Sequence, residues 1–321
     1  MANVLLIRLD GIGDAVVLAP LFAALREQGH AIGVVSSERN AGLFTRRAVD
    51  REHVMAYYDE HAPNARDVAA VAAEIRAAAY DVAVIPTEDA RGYRLARGVA
   101  RRVGFHNGLE KPFKTLWVRS ICSDTVFRPA SLARSGPHEV EVLMRLLAPL
   151  GITQPPTRDA TLLGPLLLER APETTAGSAI QIAEKWRTVG LDDAALAAVI
   201  RQWNAAGGLR GIAAPAESEY ATEIARRSGL DIAITPTLDA WKSAIASAAL
   251  LMTPDSGAAH IAGMIGVPVV DVFADDGRFA SQRSRWRPWA SRAECITLGS
   301  VPSEERARLV LNAAALVTAS L

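Results

Sequence analysis

Two short segments of the chain combine carboxylates, glycines and polar groups in patterns suited to binding and proton transfer. The first is Asp-Gly-Ile-Gly-Asp at 10–14, which follows an apolar run at 4–9. Glycine lets backbone approach a ligand closely, and N–H groups at a helix start can hold an anion or a carbonyl. The Asp14 carboxylate could therefore take a proton from an attacking hydroxyl. An equally weighted alternative is that Asp14 caps the helix start.

The second segment is the Thr-Pro-Asp-Ser-Gly-Ala-Ala-His run that ends at His260. An apolar strand is predicted to end at Asp255, Ser256 and Gly257 to form a tight turn, and a helix to begin near Ala258. Backbone amides at this helix start could donate hydrogen bonds to a diphosphate. The helix dipole and the Ser256 hydroxyl would add to this binding. A lone histidine near a helix start is more often structural, but beside such a turn we favour a functional role for His260.

Three further features carry weaker signals. Lys185, just after the first strand of the second half, could neutralise a phosphate as a point charge, although a solvated lysine is the simpler interpretation. Glu217, at a strand-to-helix turn, could accept hydrogen bonds from ribose hydroxyls or merely begin a helix. The Arg-Trp-Arg-Pro-Trp run at 285–289 is more typical of packing between elements than of ligand binding.

A basic stretch at 91–119 contains eight Arg or Lys residues against the single acid Glu110. Such a run is most often a solvated helix face. The functional alternative is a docking surface for an anionic acceptor or for membrane headgroups. The basic residues are Arg91, Arg94, Arg97, Arg101, Arg102, Lys111, Lys114 and Arg119.

Length and composition limit the classes of protein that fit. At ~100–200 residues per domain, 321 residues predict two domains. The chain is 50% hydrophobic and 22% charged with zero formal net charge, which argues against a nucleic-acid binder. The two distant cysteines, Cys122 and Cys295, form neither a disulfide nor a metal framework and fit a reducing compartment. With neither a signal peptide nor a membrane span in the pattern, we expect a cytoplasmic protein.

The elements that must position these residues alternate between strands and helices. Apolar runs at 4–9, 31–35 and 82–85 are separated by helical patterns, and a second series of the same kind begins at 179. This alternation predicts an α/β fold with parallel sheets and helices on both faces. A proline-rich stretch at 153–175 predicts the domain linker. A helix is predicted from His138 to Leu150, and a long amphipathic helix at 303–320.

Taken together, these features resemble glycosyltransferase family 9, the heptosyltransferases that add ADP-activated heptose to the lipopolysaccharide inner core. The opening 4–14 is similar to the family's first strand and its Gly-Asp loop. Asp-Ser-Gly-Ala-Ala-His at 255–260, followed by Gly-Val-Pro at 266–268, is the most specific similarity. Arg-Val-Gly-Phe at 102–105, the helix from His138 and the run at 285–289 add to it.

The resemblance implies a GT-B fold, with two facing Rossmann-like domains and a deep inter-domain cleft. The implied boundaries are an acceptor-binding domain at 1–160, a nucleotide-sugar-binding domain at 161–302, and a C-terminal helix at 303–321 that packs back on the first domain. Asp14 matches the family's catalytic base. Donor-binding positions are Lys185, Glu217, Asp255, Ser256, Gly257, Ala258 and His260; acceptor-binding candidates are Asp10, Gly13, Arg94, Arg97 and Arg101.

The leading hypothesis is an inverting, metal-independent transfer of heptose from a nucleotide-activated donor, ADP-heptose, to a hydroxyl of a lipopolysaccharide core-type acceptor. We expect no cofactor, an anionic glycolipid or oligosaccharide as acceptor, and peripheral contact with the inner membrane surface. Alternatives are a different donor or acceptor, a nucleotide-sugar epimerase or hydrolase, and a non-catalytic nucleotide-sugar binder. The last is suggested by 179–184, which lacks the family's Gly and Ser/Thr phosphate loop.

Overall fold

The computed structural model describes residues 1–56, 65–129, 136–170, 177–205 and 207–319. The chain divides into two compact units. The first comprises Met1–Ala133 and Pro137–Thr157, and the second comprises Arg134–Gly136 and Arg158–Leu321. The predicted division near residue 160 therefore lies close to the boundary. No helix in the described ranges is long and apolar enough to cross a membrane.

The first unit is a six-stranded parallel sheet flanked by helices, with the strand order β3-β2-β1-β4-β5-β6. Its central strands are continuous apolar runs because both faces of a parallel sheet are covered. Its elements are β1 (Asn3–Ile7), α1 (Ile12–Val16), α2 (Ala19–Glu27), β2 (Ala31–Ser37), β3 (Arg51–Met55), α3 (Ala65–Ala77), β4 (Val82–Ile85), α4 (Ala90–Leu95), β5 (Arg101–His106), α5 (Pro112–Ile121), β6 (Asp124–Phe127) and α6 (Glu139–Met144).

The second unit contains another six-stranded parallel sheet, with the order β12-β11-β10-β7-β8-β9. Its elements are α7 (Ala160–Leu167), β7 (Ser178–Gln181), α8 (Lys185–Thr188), α9 (Asp193–Ala205), β8 (Leu209–Ala213), α10 (Ser218–Ser228), β9 (Ile232–Ile234), α11 (Leu238–Ala246), β10 (Leu251–Pro254), α12 (Gly257–Ile265), β11 (Val269–Phe273), α13 (Phe279–Trp286), β12 (Ala293–Thr297) and α14 (Ser303–Thr318).

The two sheets share one topology. In each sheet, the first strand of the unit lies between the unit's second and fourth strands. The second and third strands are therefore added on one side of the first strand, and the fourth to sixth strands on its other side. In open parallel sheets of this kind, ligands bind outside the carboxyl ends of the strands at the switch point. The switch points lie between β1 and β4 in the first unit and between β7 and β10 in the second. The predicted α/β fold with two Rossmann-like domains is confirmed.

Three expectations about the elements need correction. The predicted linker at 153–175 contains α7, which packs against α12, while 171–175 lie outside the described residues. The first helix is two helices, α1 and α2, that break at Val17 and Leu18. The last helix, α14, packs against α9, β11 and β12 of the second unit, because its apolar face completes that unit's core through Val310, Leu311, Ala313, Ala314 and Val317.

Candidate functional site

The Asp14 carboxylate is held by a buried arginine at the end of β1. Arg8 Nη2 donates to Asp14 Oδ1 at 2.8 Å, and Arg8 Nε lies 2.9 Å from Asp10 Oδ2. A further guanidinium N–H donates to the Pro86 carbonyl, just beyond β4. The Asp14 side chain is 42% exposed, whereas the Arg8 side chain is 6% exposed. One guanidinium thus fixes a solvent-accessible carboxylate at the switch point of the first sheet.

Asn40 supports this arrangement from the loop after β2. Its side-chain amide donates to the Asp10 carbonyl at 2.7 Å and to the Arg8 carbonyl at 3.3 Å. Its side-chain oxygen accepts from the Ser37 amide at 2.9 Å. Hydrogen bonds therefore connect the 10–14 loop to the end of β2 as well as to the segment that follows β4. Arg8 and Asn40 were not predicted from the sequence. The signal available for Arg8 was an arginine that directly follows an otherwise apolar strand.

Asp14 does not cap its helix. The residue before α1 is Gly11, which has extended backbone angles, and Asp14 lies inside the first turn of α1. Its carboxylate is instead engaged by Arg8. Open space surrounds the position a Cβ would take on Gly11, so this side of the loop leaves room for a ligand. Asp14 is therefore not a helix cap. Its partly exposed carboxylate is still placed where it could accept a proton.

The basic stretch at 91–119 does not form one surface. The Arg91 guanidinium pairs with Asp89, and Arg101 pairs with Asp124 at 3.0 Å. Arg101 begins β5, at the amino edge of the sheet, whereas Asp14 lies at the carboxyl edge. Arg94 and Arg97 are exposed on α4 and on the turn that leads towards Arg101. The structure therefore does not bring Arg101 together with Asp14.

A charged cluster that was not predicted from the sequence surrounds Glu88, in the loop after β4. Its carboxylate accepts from Lys114 Nζ at 2.8 Å and from Arg128 Nη1 at 3.3 Å, and lies 3.9 Å from Lys111 Nζ. Burial opposes ionisation of Glu88, but the Lys114 hydrogen bond and the surrounding cations outweigh it and lower its pKa. Arg128 also pairs with the buried Glu139 at 3.0 Å. Loops at the same edge of the sheet as Asp14 are thus joined by charged groups.

In the second unit, the Ser256 hydroxyl caps α12. Ser256 Oγ accepts from the Ala258 amide at 3.3 Å and donates to Gln181 Oε1 at 2.8 Å. The buried Thr253 hydroxyl donates to the same Gln181 oxygen. The Ala258 amide is therefore already satisfied, while the Gly257 amide has no acceptor among the residues that the structure describes. Gln181, the last residue of β7, joins β7 to β10 at the switch point and was not singled out from the sequence.

Lys185 lies beside this turn. Its ammonium group donates to the Asp255 carbonyl and lies 3.7 Å from Asp255 Oδ2, with both side chains partly exposed. The neighbouring Glu184 amide donates to Glu217 Oε2 at 3.1 Å. The structure thus brings Lys185 together with Asp255, and Glu217 together with the segment that precedes Lys185. The four residues follow β7, β8 and β10, which are neighbours in the sheet.

His260 is buried in α12, and its ring centroid lies 5.7 Å from that of Trp286 on α13. Trp289, at the end of the 285–289 run, contacts Arg158 of the same unit. The Arg158 guanidinium lies 3.5 Å from the Trp289 ring centroid and donates to the Trp289 carbonyl at 2.8 Å. These contacts agree with the packing role predicted for that run, and they give His260 an aromatic partner.

Asp271 is an unexpected acid in the middle of β11. It is fully buried, and neither carboxylate oxygen has a hydrogen-bond partner in the described part of the chain. Burial raises its pKa well above the usual range, the charge of Asp255 adds to the rise, and Lys185 opposes it. Burial of this kind favours the protonated, neutral form of a carboxyl. Its register partner on β10 is Thr253, so it lies next to the strand that leads to the Ser256 turn.

Two parallel sheets of the same order, each with polar residues at its switch point, define an α/β protein of the GT-B class. Residues 192–313 match the model of glycosyltransferase family 9 (heptosyltransferase). The predicted resemblance to this family is thereby confirmed, and it supports a glycosyltransferase. The matched segment contains Glu217 and the turn from Asp255 to His260. A search of curated proteins finds no match.

Solved structures of the family share the fold over the whole chain. A glycosyl transferase family 9 structure from Veillonella parvula DSM 2008 is 17% identical, with a TM-score of 0.76 over 100% of this chain and 98% of that one. E. coli heptosyltransferase WaaC with ADP-2-deoxy-2-fluoro heptose is 18% identical, with a TM-score of 0.75 over 99% of each chain. E. coli ADP-heptose lps heptosyltransferase II is 17% identical, with a TM-score of 0.70 over 99% of each.

Proposed function

We propose that this chain is an inverting glycosyltransferase that moves a heptose from ADP-heptose to a hydroxyl of a lipopolysaccharide core-type acceptor. The observation that carries the proposal is the partly exposed Asp14 carboxylate, fixed by Arg8 at the switch point of one sheet. The other unit matches the heptosyltransferase family over 192–313. The choice of donor is supported by the similarity to WaaC, whose solved structures contain ADP and an ADP-heptose analogue.

In this mechanism Asp14 is the general base. The acceptor hydroxyl oxygen attacks the anomeric carbon of the donor while its proton passes to the Asp14 carboxylate. The bond between that carbon and the diphosphate oxygen breaks, and its electron pair leaves with the diphosphate, so the configuration at the carbon inverts. Arg8 holds the carboxylate in one orientation, and Asn40 holds the loop that carries it.

The departing diphosphate gains negative charge and needs stabilisation. Lys185 supplies a point charge beside the Ser256 turn, and the Gly257 amide supplies a donor at the start of α12. Glu217, whose carboxylate already accepts from the Glu184 amide, is positioned to accept from a ribose hydroxyl as well. Ser256 acts through the helix cap that its hydroxyl forms, and we propose His260 and Asp255 as lining residues. No metal ion enters this mechanism.

On the acceptor side, we propose contacts from Asp10, Gly13 and the exposed Arg94. An Arg94→Glu change should raise the acceptor KM and leave nucleotide affinity unchanged. Arg101→Glu is the matched control, since Arg101 lies at the opposite edge of the sheet and pairs with Asp124. An equal rise in the acceptor KM for both variants would contradict the placement of the acceptor at the carboxyl edge.

Nucleotide selectivity tests the proposal directly. The thermal unfolding midpoint should be measured with ADP, GDP, UDP and CDP, because a ligand that binds only the folded state stabilises it by RT ln(1 + [L]/Kd), about 2.7 kcal/mol at 100 Kd. We expect a selective increase with ADP, followed by heptose transfer from ADP-heptose to a heptose-deficient lipopolysaccharide core. Selectivity for another nucleotide would refute ADP-heptose as donor. ADP binding without transfer would favour the non-catalytic alternative.

A further inference from the structure

Gln181 is a polar residue of the second unit that the proposed reaction leaves without a role in binding. It ends β7, between Ile180 and Ile182, whose side chains belong to the core on one face of the sheet. Because side chains alternate along a strand, the Gln181 side chain lies on the opposite face. There its amide group meets the Ser256 turn. Gln181 therefore lies at the switch point between β7 and β10.

Two hydroxyl groups fix the orientation of the Gln181 amide. Ser256 Oγ lies 2.8 Å from Gln181 Oε1, and the hydroxyl of the fully buried Thr253 donates to the same oxygen. Ser256 Oγ already accepts from the Ala258 amide, so its own hydrogen needs an acceptor. The Gln181 oxygen is such an acceptor, and the amide nitrogen in the same place would not be. The oxygen therefore faces the two hydroxyls, and the nitrogen faces away from them.

The nitrogen of this amide is a donor without an acceptor. Nε2 of Gln181 carries two N–H groups and donates to no group in the part of the chain that the structure describes. The residue is half-buried, and this nitrogen is not among its buried atoms, so solvent reaches it. A donor that is already held in one orientation loses little conformational entropy when it binds a ligand. The Gln181 amide is thus preorganised for binding.

Donors of two other kinds lie around the same turn. The Gly257 amide has no acceptor among the described residues, and the Lys185 ammonium group lies 3.7 Å from Asp255 Oδ2. Phosphate oxygens accept hydrogen bonds from N–H groups and are attracted by an ammonium charge. The neutral side-chain amide of Gln181 adds a donor to this set without adding charge.

The loop after β7 has few backbone donors of its own. Loops that hold phosphate with their backbone use several free amides, commonly beside glycines. Here the Ile182 amide donates to the Ile212 carbonyl at 2.8 Å, and the Glu184 amide donates to Glu217 Oε2 at 3.1 Å. No glycine occurs in residues 178–189. The side chain that ends β7 can supply the donor that this backbone does not.

We propose that the Gln181 side-chain amide binds a diphosphate oxygen of the nucleotide-sugar donor, in place of the phosphate loop that residues 179–184 lack. The inference rests on the proposed function, because it assigns a further contact within that donor site. Nε2 donates to the diphosphate, while Oε1 continues to accept from Ser256 and Thr253. One amide group thus binds the diphosphate and holds the start of α12.

A Gln181→Glu variant separates these two roles. Glutamate keeps an oxygen that accepts from both hydroxyls, but it replaces the N–H donor with a negatively charged oxygen that repels a diphosphate. Calorimetry should use the nucleoside diphosphate that stabilises the wild type most. Its affinity should fall about tenfold or more, and that of the corresponding monophosphate should fall less. Unchanged affinity for the diphosphate would overturn the proposal.

Gln202→Glu is the matched control for this measurement. Gln202 is exposed on α9 of the same unit, so the variant makes the same change of charge away from the Ser256 turn. Its affinity for the diphosphate should equal that of the wild type. An equal loss in both glutamate variants would show a general effect of net charge and would refute a contact from Gln181.

A Gln181→Met variant tests for a purely structural role. Methionine has a similar length but no N–H donor and no oxygen, so the Ser256 and Thr253 hydroxyls lose their shared acceptor. Its thermal midpoint should fall, because buried polar groups are left unpaired. Both variants of Gln181 should bind the diphosphate more weakly than the wild type. Weaker binding in the methionine variant alone would assign Gln181 to holding the turn and would overturn the proposal.

The choice of nucleotide separates this inference from the proposed function. A wild type that prefers GDP, UDP or CDP would refute ADP-heptose as donor, and Gln181→Glu should still weaken binding of the preferred diphosphate. A wild type that prefers ADP, with the same ADP affinity in Gln181→Glu, would refute the Gln181 contact and leave ADP-heptose in place. A wild type that binds none of the four would overturn both.

Discussion

Arg8 and Asp14 form an ion pair of 2.8 Å in which the cation is buried and the carboxylate is partly exposed. The same guanidinium reaches Asp10 and the Pro86 carbonyl. Removing one member of a buried ion pair leaves the remaining charge without compensation and destabilises the folded protein. Replacing Arg8 is therefore expected to lower stability. Arg8 is therefore a positioning residue: it orients the proposed base without needing to touch substrate.

Asp14→Asn should lower heptose transfer by about a hundredfold or more, the usual size of a general-base contribution. The amide keeps the size of the side chain but cannot take a proton. Nucleotide affinity should stay unchanged, because the proposed donor groups belong to the second unit. The measurement is single-turnover transfer together with the ADP dissociation constant. Wild-type transfer by this variant would exclude Asp14 as the base.

Arg8→Met should lower kcat for heptose transfer and leave the acceptor KM and the ADP dissociation constant unchanged. The Asp14 carboxylate then loses the hydrogen bond at 2.8 Å that orients it for proton transfer. Arg8→Lys keeps a cation beside Asp14 and should restore part of kcat. The measurement is steady-state transfer together with the thermal midpoint of each variant. A lower thermal midpoint with wild-type kcat for the folded protein would show that Arg8 serves only stability.

Lys185→Gln should weaken ADP binding by about tenfold, since a partly exposed cation on a phosphate contributes about 1–2 kcal/mol. AMP binding should change less, because AMP lacks the second phosphate. Lys111→Gln is the control, a lysine of the first unit that lies 3.9 Å from Glu88. Calorimetry of both variants with both nucleotides measures the difference. Equal losses for AMP and ADP would place Lys185 away from the diphosphate.

Asp271→Asn should change how stability depends on pH. The folded-state pKa of Asp271 is raised above its ordinary value of 3.8, so its contribution is complete below that value and is lost as the pH rises through the folded pKa. The asparagine variant lacks this loss, and its thermal midpoint should exceed that of the wild type increasingly as the pH rises.

Asp231→Asn is the control for this measurement, because Asp231 is exposed at the start of β9. Its thermal midpoint should follow the wild type between pH 5 and 9. Parallel curves for Asp271→Asn and the wild type would mean that Asp271 stays ionised in the folded protein.

The sequence predicted the central strands well but missed both edge strands of the first sheet. β1, β4 and β10 are apolar on both faces because helices cover both sides of the sheet. β3 reads Arg-Glu-His-Val-Met and β6 reads Asp-Thr-Val-Phe, and both were missed. Each lies at an edge of its sheet, where polar side chains are common and apolar patterning is weak.

Site residues that lie within one continuous segment of the sequence could be predicted. Site residues that are brought together from several strands could not. Asp14 and the turn at Ser256 could be found because each lies within a few residues of a strand end. The partners Asn40 and Gln181 come from other strands, so their roles depend on strand order. Asp271 was missed because the surrounding Val-Val-Asp-Val-Phe reads as an apolar strand, and its raised pKa depends on burial and on the charge of Asp255, which only the folded structure shows.

The proposed reacting groups all lie beyond the last residue of a strand, whereas the cores lie between strands and helices. Side chains in those loops can change without disturbing the packing beneath them. A lineage could therefore exchange its substrate contacts residue by residue while each intermediate still folds. The Veillonella structure has the same fold over the whole chain, with a TM-score of 0.76, at only 17% identity, so this fold tolerates the exchange of most of its side chains.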